Sequence, residues 1–243
     1  PSPTLTPWGN AQVITLQSGC GYQGVTDAYL SNVASKIDVP QGVSGDLQVR
    51  SGESVSLIRF ELEGYVPTGA FIQEARLEVY AYNPYPWSGS QRIDAYGVRR
   101  AWDESQATWN RPRTGEVWAQ AGCGDDTFDR DPTPVDSVSV TGTRRFYQWN
   151  ITSLVQRWVE NPAQNFGVNL RAQTRTTVYL YSSEMGGETT CVLQHPKLTV
   201  WYIPRPPTAT PTASATPTRT PTASPTIPPD KGVVRGRVFA DPN

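Results

Sequence analysis

The sequence contains few of the residues on which metal centres and catalytic sites are usually built. It has a single histidine, His195, together with three cysteines and one methionine among 243 residues. No two cysteines form a CxxC pair and His195 is followed by a proline, so the spacing that a zinc site requires is missing. A nucleophile elbow, an HExxH sequence and a phosphate-binding loop are missing as well. We therefore expect a protein that is not an enzyme.

The chain also lacks an excess of one charge and long apolar runs. Its 21 Lys and Arg residues nearly balance 22 Asp and Glu residues, which leaves a net charge of −1. The basic residues are scattered, whereas binding of nucleic acid requires a basic patch, so we expect no nucleic-acid partner. No apolar run approaches the roughly 18–20 residues that cross a bilayer, so we expect no membrane span.

What the sequence does contain is alternation of apolar and polar residues. In residues 55–63, Ile58 and Phe60 share one face while Arg59 and Glu61 share the other, and residues 75–82 alternate in the same way. Further strand candidates are residues 11–16, 93–100, 137–140, 145–151, 177–182 and 198–203. Short strands separated by Gly, Pro and Asn predict an antiparallel β-sandwich with little helix.

Helical spacing can be argued only in residues 150–171. The apolar residues that recur at this spacing are Leu154, Val155, Trp158 and Val159. Thr152 stands where an N-cap belongs, and Pro162 ends the helix because it restricts the residue before it. The period then changes to two, which predicts a strand containing Phe166, Val168 and Leu170. We expect this short helix to pack against a sheet.

Composition divides the chain into four parts. Residues 1–7 are typical of the end of a linker, and residues 8–203 form the predicted sandwich. Residues 204–230 are rich in Pro and Thr, cannot bury a core and predict an extended linker. Its candidate O-glycan sites are Thr208, Thr210, Thr212, Thr216, Thr218, Thr220, Thr222 and Thr226. Residues 231–243 predict an isolated C-terminal strand.

That last segment is too short to be stable alone. It is either the start of a further domain or a strand donated to a neighbouring molecule by β-augmentation. The apolar residues that would pair or pack there are Val233, Val234, Val238 and Phe239.

The three cysteines predict one disulfide and one unpaired thiol in an extracellular protein. Three pairings are possible, and the sequence does not decide among them. We favour Cys20 with Cys123, because glycines flank both residues and would allow the two loops to meet; Cys191 would then remain free.

Several motifs, in the same order along the chain, make it resemble the DNRLRE-type domain, which is related to disaggregatase-related repeats and to a family of carbohydrate-binding modules. They are LIRFEL at 57–62, residues 66–80, 102–110 and 150–171, SSE at 182–184 and HPKLTVWY at 195–202. The resemblance implies a jelly-roll-like sandwich in a secreted module of a bacterial surface protein. Some relatives bind acidic polysaccharide. Residues 232–243 are similar to the first strand of prealbumin-like repeats.

Two groups of residues are candidates for a ligand or partner surface. Tyr82 lies on the exposed face at the end of a predicted strand, and Tyr85 and Trp87 lie in the loop that follows it. Aromatic rings with polar neighbours suit sugars, although packed sheets need aromatics too. A second group could neutralise uronates or could be ordinary surface charge: Arg99, Arg100, Arg144 and Arg145.

Calcium could bind at either of two places. One loop, GDDTFDRD, is dense in carboxylates that could bind calcium or could simply be solvated: Asp125, Asp126, Asp129 and Asp131. By analogy with other jelly-roll binding modules, Asp27 and Glu184 are an alternative pair of ligands.

Two functions remain open at this point. The first is a structural or adhesive module of a bacterial surface protein, which could be the subunit of an extracellular filament joined to like subunits through residues 231–243. The alternative is a carbohydrate-binding module that recognises a polysaccharide, which could be acidic.

Overall fold

The computed structural model describes residues 10–82, 89–187, 191–205 and 236–237. The chain divides into two units, Pro1–Pro206 and Pro207–Asn243, and the strands and the helix all belong to the first. The strands are β1 (Gln12–Gln17), β2 (Val25–Ser31), β3 (Asp46–Val49), β4 (Ser54–Phe60), β5 (Phe71–Ala81), β6 (Gln91–Gly97), β7 (Asp136–Val140), β8 (Arg145–Asn150), β9 (Val168–Ala172), β10 (Val178–Tyr181) and β11 (Lys197–Ile203). Helix α1 (Thr152–Glu160) is followed by a 3-10 turn at Pro162–Gln164. No described helix is long and apolar enough to cross a membrane.

The strands form two antiparallel sheets that pack as a sandwich. The first sheet has the order β1-β11-β5-β10-β3, with β8 paired to β5, and the second has the order β2-β4-β9-β6-β7. This confirms the predicted all-β sandwich with one short helix. The strands β2 and β3 were not predicted; the four residues of β3 are too few to establish a period.

The core lies between the two sheets. In β5 the side chains of Leu77 and Val79 are fully buried, and those of Arg76, Glu78 and Tyr80 point the other way, as the alternation predicts. Trp149 of β8 is also fully buried, and its indole nitrogen donates to the carbonyl of Ile93 in the opposite sheet at 3.0 Å. The two sheets are therefore joined by a directional bond as well as by apolar packing.

Helix α1 buries the predicted apolar face, but its first residue has a different role from the one expected. Leu154 and Trp158 join the core, as their spacing indicates. Thr152 was predicted as the N-cap, which is wrong: Ile151 occupies that position without a side-chain cap. The hydroxyl of Thr152 accepts instead from the backbone N–H of Ala75 at 2.9 Å. The threonine thus joins the helix to β5, which explains why the helix packs against this strand.

The outer faces of the two sheets differ. The segment between β6 and β7 covers the second sheet and buries Leu57 of β4 together with Trp102, Trp118 and Cys123. On the first sheet, the outward side chains of β5, β8 and β10 are only partly buried or exposed. A surface available to ligands is therefore found on the first sheet.

The disulfide joins Cys20 to Cys191, so the expected pairing of Cys20 with Cys123 is wrong. Cys20 follows β1 and Cys191 precedes β11, and these two strands pair antiparallel with Gln17 opposite Lys197. Both cysteines therefore lie at the same end of the strand pair. Cys123 is buried as a free thiol in the segment that covers the other sheet.

Candidate functional site

Five rings form a row on the outer face of the first sheet, and we call this row the aromatic ladder. Its members are Phe146, Tyr80, Tyr181, Tyr82 and Tyr179, all of them half-buried. Tyr181 is stacked between two neighbours, with ring centroids 5.5 Å from Tyr80 and 4.4 Å from Tyr82. Phe146 meets Tyr80 edge-on at 5.2 Å, and Tyr179 is tilted at 6.1 Å from Tyr82.

Strand register explains this row. Tyr80 lies opposite Phe146 in the β5–β8 pair, and Leu180 lies opposite Ala81 where β10 joins β5. Because alternate side chains share a face, Tyr181 then lies between Tyr80 and Tyr82. Of the predicted surface, Tyr82 belongs to the ladder, while Tyr85 and Trp87 lie outside the described residues.

Sequence reasoning missed Tyr179, Tyr181 and Phe146. A signal for the two tyrosines was present, because they alternate with Val178 and Leu180 in a predicted strand. Apolar residues on one side of a strand and aromatic residues on the other indicate that the outer face also makes contacts, with neighbouring rings or with a ligand.

A shallow groove of about 280 Å³ lies beside the ladder. Its described lining residues are Tyr80, Tyr181, Met185, Gly186, Val192 and Gln194. None of these side chains carries a charge, and the amide of Gln194 can both donate and accept hydrogen bonds. We call it the Tyr80–Tyr181 groove. It combines aromatic and aliphatic walls with a few polar groups, which is the usual composition of a ligand site.

The predicted arginine group does not gather at this groove. Arg99 and Arg100 form ion pairs with Asp131 at 3.3 Å and with Asp129 at 3.5 Å, on the segment that covers the second sheet. Arg145 lies over the ring of Tyr147 at 5.0 Å. Arg144 has a left-handed backbone with φ of 59° at the turn before β8, and its N–H donates to the carbonyl of Ala81. Nothing in this arrangement brings the four cations together on one ligand.

The predicted acidic loop has carboxylates that support its own backbone. Asp129 is fully buried and accepts from the N–H groups of Ala119, Gln120 and Asp125 at 2.9–3.2 Å. Hydrogen bonds from the N–H groups of Phe128 and Thr127 lower the pKa of Asp125.

The other two carboxylates of this loop do not converge with them. Asp131 pairs with Arg157 at 2.6 Å, and Asp126 is exposed. These contacts account for the carboxylates of the loop without a metal ion.

The alternative ligand pair, Asp27 and Glu184, does come together, and Glu104 joins it. One carboxylate oxygen from each of the three residues lies within 4.8 Å of the other two. Within the described ranges, this is the group of acidic, histidine or cysteine side chains whose geometry suits a metal. We call it the acidic cluster. Glu104 was not among the predicted ligands.

Three separate parts of the chain supply the acidic cluster. Asp27 lies in β2 and is fully buried, Glu104 lies in the segment between β6 and β7, and Glu184 lies in the turn after β10. The N–H of Asp27 donates to Glu104 at 2.6 Å, and the N–H of Ser183 donates to Asp27 Oδ2 at 2.9 Å. The Ser183 hydroxyl donates to Glu184 Oε1 at 2.7 Å.

Two oxygens of the acidic cluster have no hydrogen-bond donor among the residues that the structure describes. They are Asp27 Oδ1 and Glu184 Oε2, and both are buried. Burial, followed by the nearby charge of Glu184, raises the pKa of Asp27 well above its ordinary value. Such a group of carboxylates needs a cation or a proton between its members.

The two-sheet sandwich with one plugging helix places the protein among the β-sandwich modules. A sequence profile of the disaggregatase related repeat domain matches residues 34–200. The chain therefore belongs to the disaggregatase-related repeat family, as the resemblance implied, and this family and fold fit a non-catalytic module. No curated protein matches the sequence.

Proposed function

We propose that this domain is a non-catalytic extracellular module that binds a polysaccharide chain in the Tyr80–Tyr181 groove. The observation that carries the proposal is the pair of stacked rings at the groove wall, next to an amide and an aliphatic floor. Sugar rings present apolar C–H faces and hydroxyl groups, and both have counterparts here.

The open shape of the site favours a polymer. The groove is shallow and lies on the outer face of a sheet, so a chain can extend past it along the aromatic ladder. The ladder continues on both sides of the groove wall, from Phe146 to Tyr179, and offers tyrosine hydroxyls over its length. A small ligand would instead require an enclosed pocket.

The charges around the groove favour a neutral polysaccharide. Among the described residues, Lys197 lies next to the ladder, over the ring of Phe146 at 4.4 Å, and it is paired with Glu78 at 3.4 Å. Its charge is therefore compensated before any ligand arrives. An acidic polysaccharide would need additional cations, and Arg99 and Arg100 are paired elsewhere.

The non-catalytic character is supported by the placement of the carboxylates. Hydrolysis of a glycoside requires two carboxyl groups on either side of a cleft. In the acidic cluster Asp27 is fully buried, which prevents contact with a substrate. The extracellular location is supported by the exposed disulfide Cys20–Cys191, since such bonds persist in oxidising compartments.

The test is affinity electrophoresis of the full chain in gels containing a neutral β-glucan, a mannan or polygalacturonate. We expect retardation in a neutral gel, and a reduction of affinity by about tenfold in Tyr181→Ala, the equivalent of about 1.4 kcal/mol. Gln194→Ala tests the polar contact without disturbing the ladder. Phe128→Ala, which removes an exposed ring away from the groove, is the matched control. Equal mobility of the wild-type protein in all gels would contradict the proposal, and retardation by polygalacturonate alone would reject the neutral ligand.

A second candidate function is a structural or adhesive subunit of an extracellular filament. It is favoured by the sequence, because residues 204–230 predict an extended Pro- and Thr-rich linker and residues 231–243 predict an isolated strand. Electron microscopy of the chain with and without residues 232–243 tests it. Fibres that disappear on truncation support assembly through this strand, and single particles in both samples contradict it.

A further inference from the structure

We propose that the acidic cluster of Asp27, Glu104 and Glu184 is a binding site for a calcium ion that joins three segments of the domain. This site is separate from the polysaccharide groove, and the inference does not rest on the proposed function.

The first argument is electrostatic. Three carboxylates with oxygens within 4.8 Å of one another repel strongly, and the repulsion between buried charges is several times larger than in water. Asp27 is fully buried, so solvent cannot screen its charge. A divalent cation converts this repulsion into attraction.

The second argument is the use of the individual oxygens. Ser183 donates from its N–H to Asp27 Oδ2 and from its hydroxyl to Glu184 Oε1. One oxygen of each of these two carboxylates is thus oriented by the protein, while Asp27 Oδ1 and Glu184 Oε2 are buried without a donor. Metal ligands are typically held by hydrogen bonds of this kind, with the remaining lone pairs directed at the ion. Ordinary structural carboxylates are satisfied at both oxygens, as Asp129 is.

The third argument concerns the choice of ion. The ligands are hard oxygens, which calcium and magnesium prefer over zinc or copper. An oxygen set no wider than 4.8 Å fits the calcium sphere, whose diameter is about 4.6–5.2 Å at the usual ligand distances. Magnesium instead demands a near-ideal octahedron. Calcium also accepts the irregular arrangement that three unrelated segments provide.

The consequence of binding would be mechanical coupling of these segments. The cation would join β2 to the segment that covers the second sheet and to the turn after β10. That turn continues into Met185 and Gly186, which line the Tyr80–Tyr181 groove. A proton shared between Asp27 and Glu184 is the competing way to relieve the repulsion.

The experiment uses the full chain after treatment with EDTA and passage into metal-free buffer. Titration with Tb³⁺, which substitutes for Ca²⁺, should give luminescence sensitised by Trp102, two residues before Glu104 in the sequence, at about one ion per chain, and Ca²⁺ should displace it. Ca²⁺ at a hundredfold excess over its Kd should raise the midpoint of thermal unfolding by about 5–10 °C. Mg²⁺ at the same concentration should raise it much less.

Two variants distinguish the cation from the shared proton. Glu184→Gln should abolish the calcium-dependent shift, whereas Asp126→Asn, an equal change of charge at an exposed carboxylate, should retain it. If Ca²⁺ and Tb³⁺ do not bind to the wild type, or bind to Glu184→Gln equally well, the proposal is wrong. A Glu184→Gln protein more stable than the metal-free wild type, together with no ion binding, assigns the cluster to a shared proton. If Glu184→Gln does not fold, the Tb³⁺ stoichiometry of the wild type and the displacement of Tb³⁺ by Ca²⁺ decide whether the site binds calcium.

Discussion

Tyr82 donates a hydrogen bond of 2.5 Å from its hydroxyl to Asp46 Oδ1, and thereby ties the aromatic ladder to the edge strand β3. The ring of Tyr82 also stacks on the ring of Tyr181, which belongs to β10, the strand between β5 and β3. Burial, and then the bond to Asp46, raise the pKa of Tyr82 above its ordinary value. The phenol therefore remains a donor throughout the physiological range.

We expect Tyr82→Phe to lower the free energy of unfolding by about 1–3 kcal/mol, since a hydrogen bond to a charged acceptor is lost. Urea denaturation measures this change. In a double-mutant cycle with Asp46→Asn, the second substitution should cost much less in the Tyr82→Phe background than in the wild type. Additive effects of the two substitutions would show that the bond makes no contribution.

The thiol of Cys123 should be inert in the folded protein. Burial raises its pKa from 9.0 to about 12, and only the thiolate is a good nucleophile. Ellman's reagent at pH 8 should therefore leave the native wild-type protein unlabelled, and should label about one thiol per chain in 8 M urea. Rapid labelling under native conditions would contradict the burial of Cys123.

The raised pKa of the Cys123 thiol also predicts that the folded protein loses stability at alkaline pH. A raised folded-state pKa means that the folded state keeps its proton where the unfolded state loses it. The contribution of Cys123 is complete below pH 9.0 and decreases as the pH rises from there towards about 12. Urea midpoints measured across this range should fall less steeply in Cys123→Ala than in the wild type. Parallel profiles for the two proteins would show that the thiol does not contribute.

Gly97→Ala should destabilise the domain. A Cβ at this position would collide with Asp131 Oδ2 and with Arg157 and Leu154, and would push apart the ion pair of Asp131 and Arg157. Overpacking of this kind costs about 1–3 kcal/mol, which corresponds to a fall of about 2–12 °C in the midpoint of thermal unfolding. Gly142→Ala is the control, because the nearest atom to its added Cβ is 4.0 Å away. Similar melting of both variants would contradict the packing described at Gly97.

Reduction of the disulfide should lower the free energy of unfolding by about 2–5 kcal/mol, because it releases a closed loop in the unfolded chain. The two cysteines are separated by 171 residues, so the loop includes almost the whole sandwich. Urea denaturation with and without a phosphine reductant measures the effect. A variant that combines Cys20→Ser and Cys191→Ser should be insensitive to the reductant, while Cys123→Ala should respond as the wild type does.

Local periodicity was sufficient to predict most of the fold. The alternation in β4 and β5 and the helical spacing of Leu154 and Trp158 depend on residues a few positions apart, and the structure confirms them. The role of Thr152 depends on a contact with Ala75, 77 residues away, and the sequence of the helix alone does not predict that contact. The N-cap prediction failed for this reason.

The sites were harder to predict because their members are distant in sequence. Asp27 and Ser183 are 156 residues apart, and Asp27 and Glu104 are 77 apart. Analogy suggested the first and last carboxylates of the acidic cluster, but Glu104 joins them only through the folded path of the segment that covers the second sheet. The cysteine pairing depends in the same way on the antiparallel register of β1 and β11, which glycine content does not reveal.

That register also determines how the sandwich responds when its two ends are pulled. Gln12 lies opposite Tyr202, so a tensile force applied at these residues peels β1 from β11 one residue pair at a time, which is the weakest loading direction for a sheet. Peeling proceeds as far as Gln17 and Lys197 and then meets the covalent bond between Cys20 and Cys191. Tension then passes through the sulfur atoms and bypasses the rest of the sandwich. The disulfide acts as a mechanical stop: the acidic cluster lies between the two cysteines and is shielded from the load, whereas Val192 and Gln194 of the groove lie on the loaded segment.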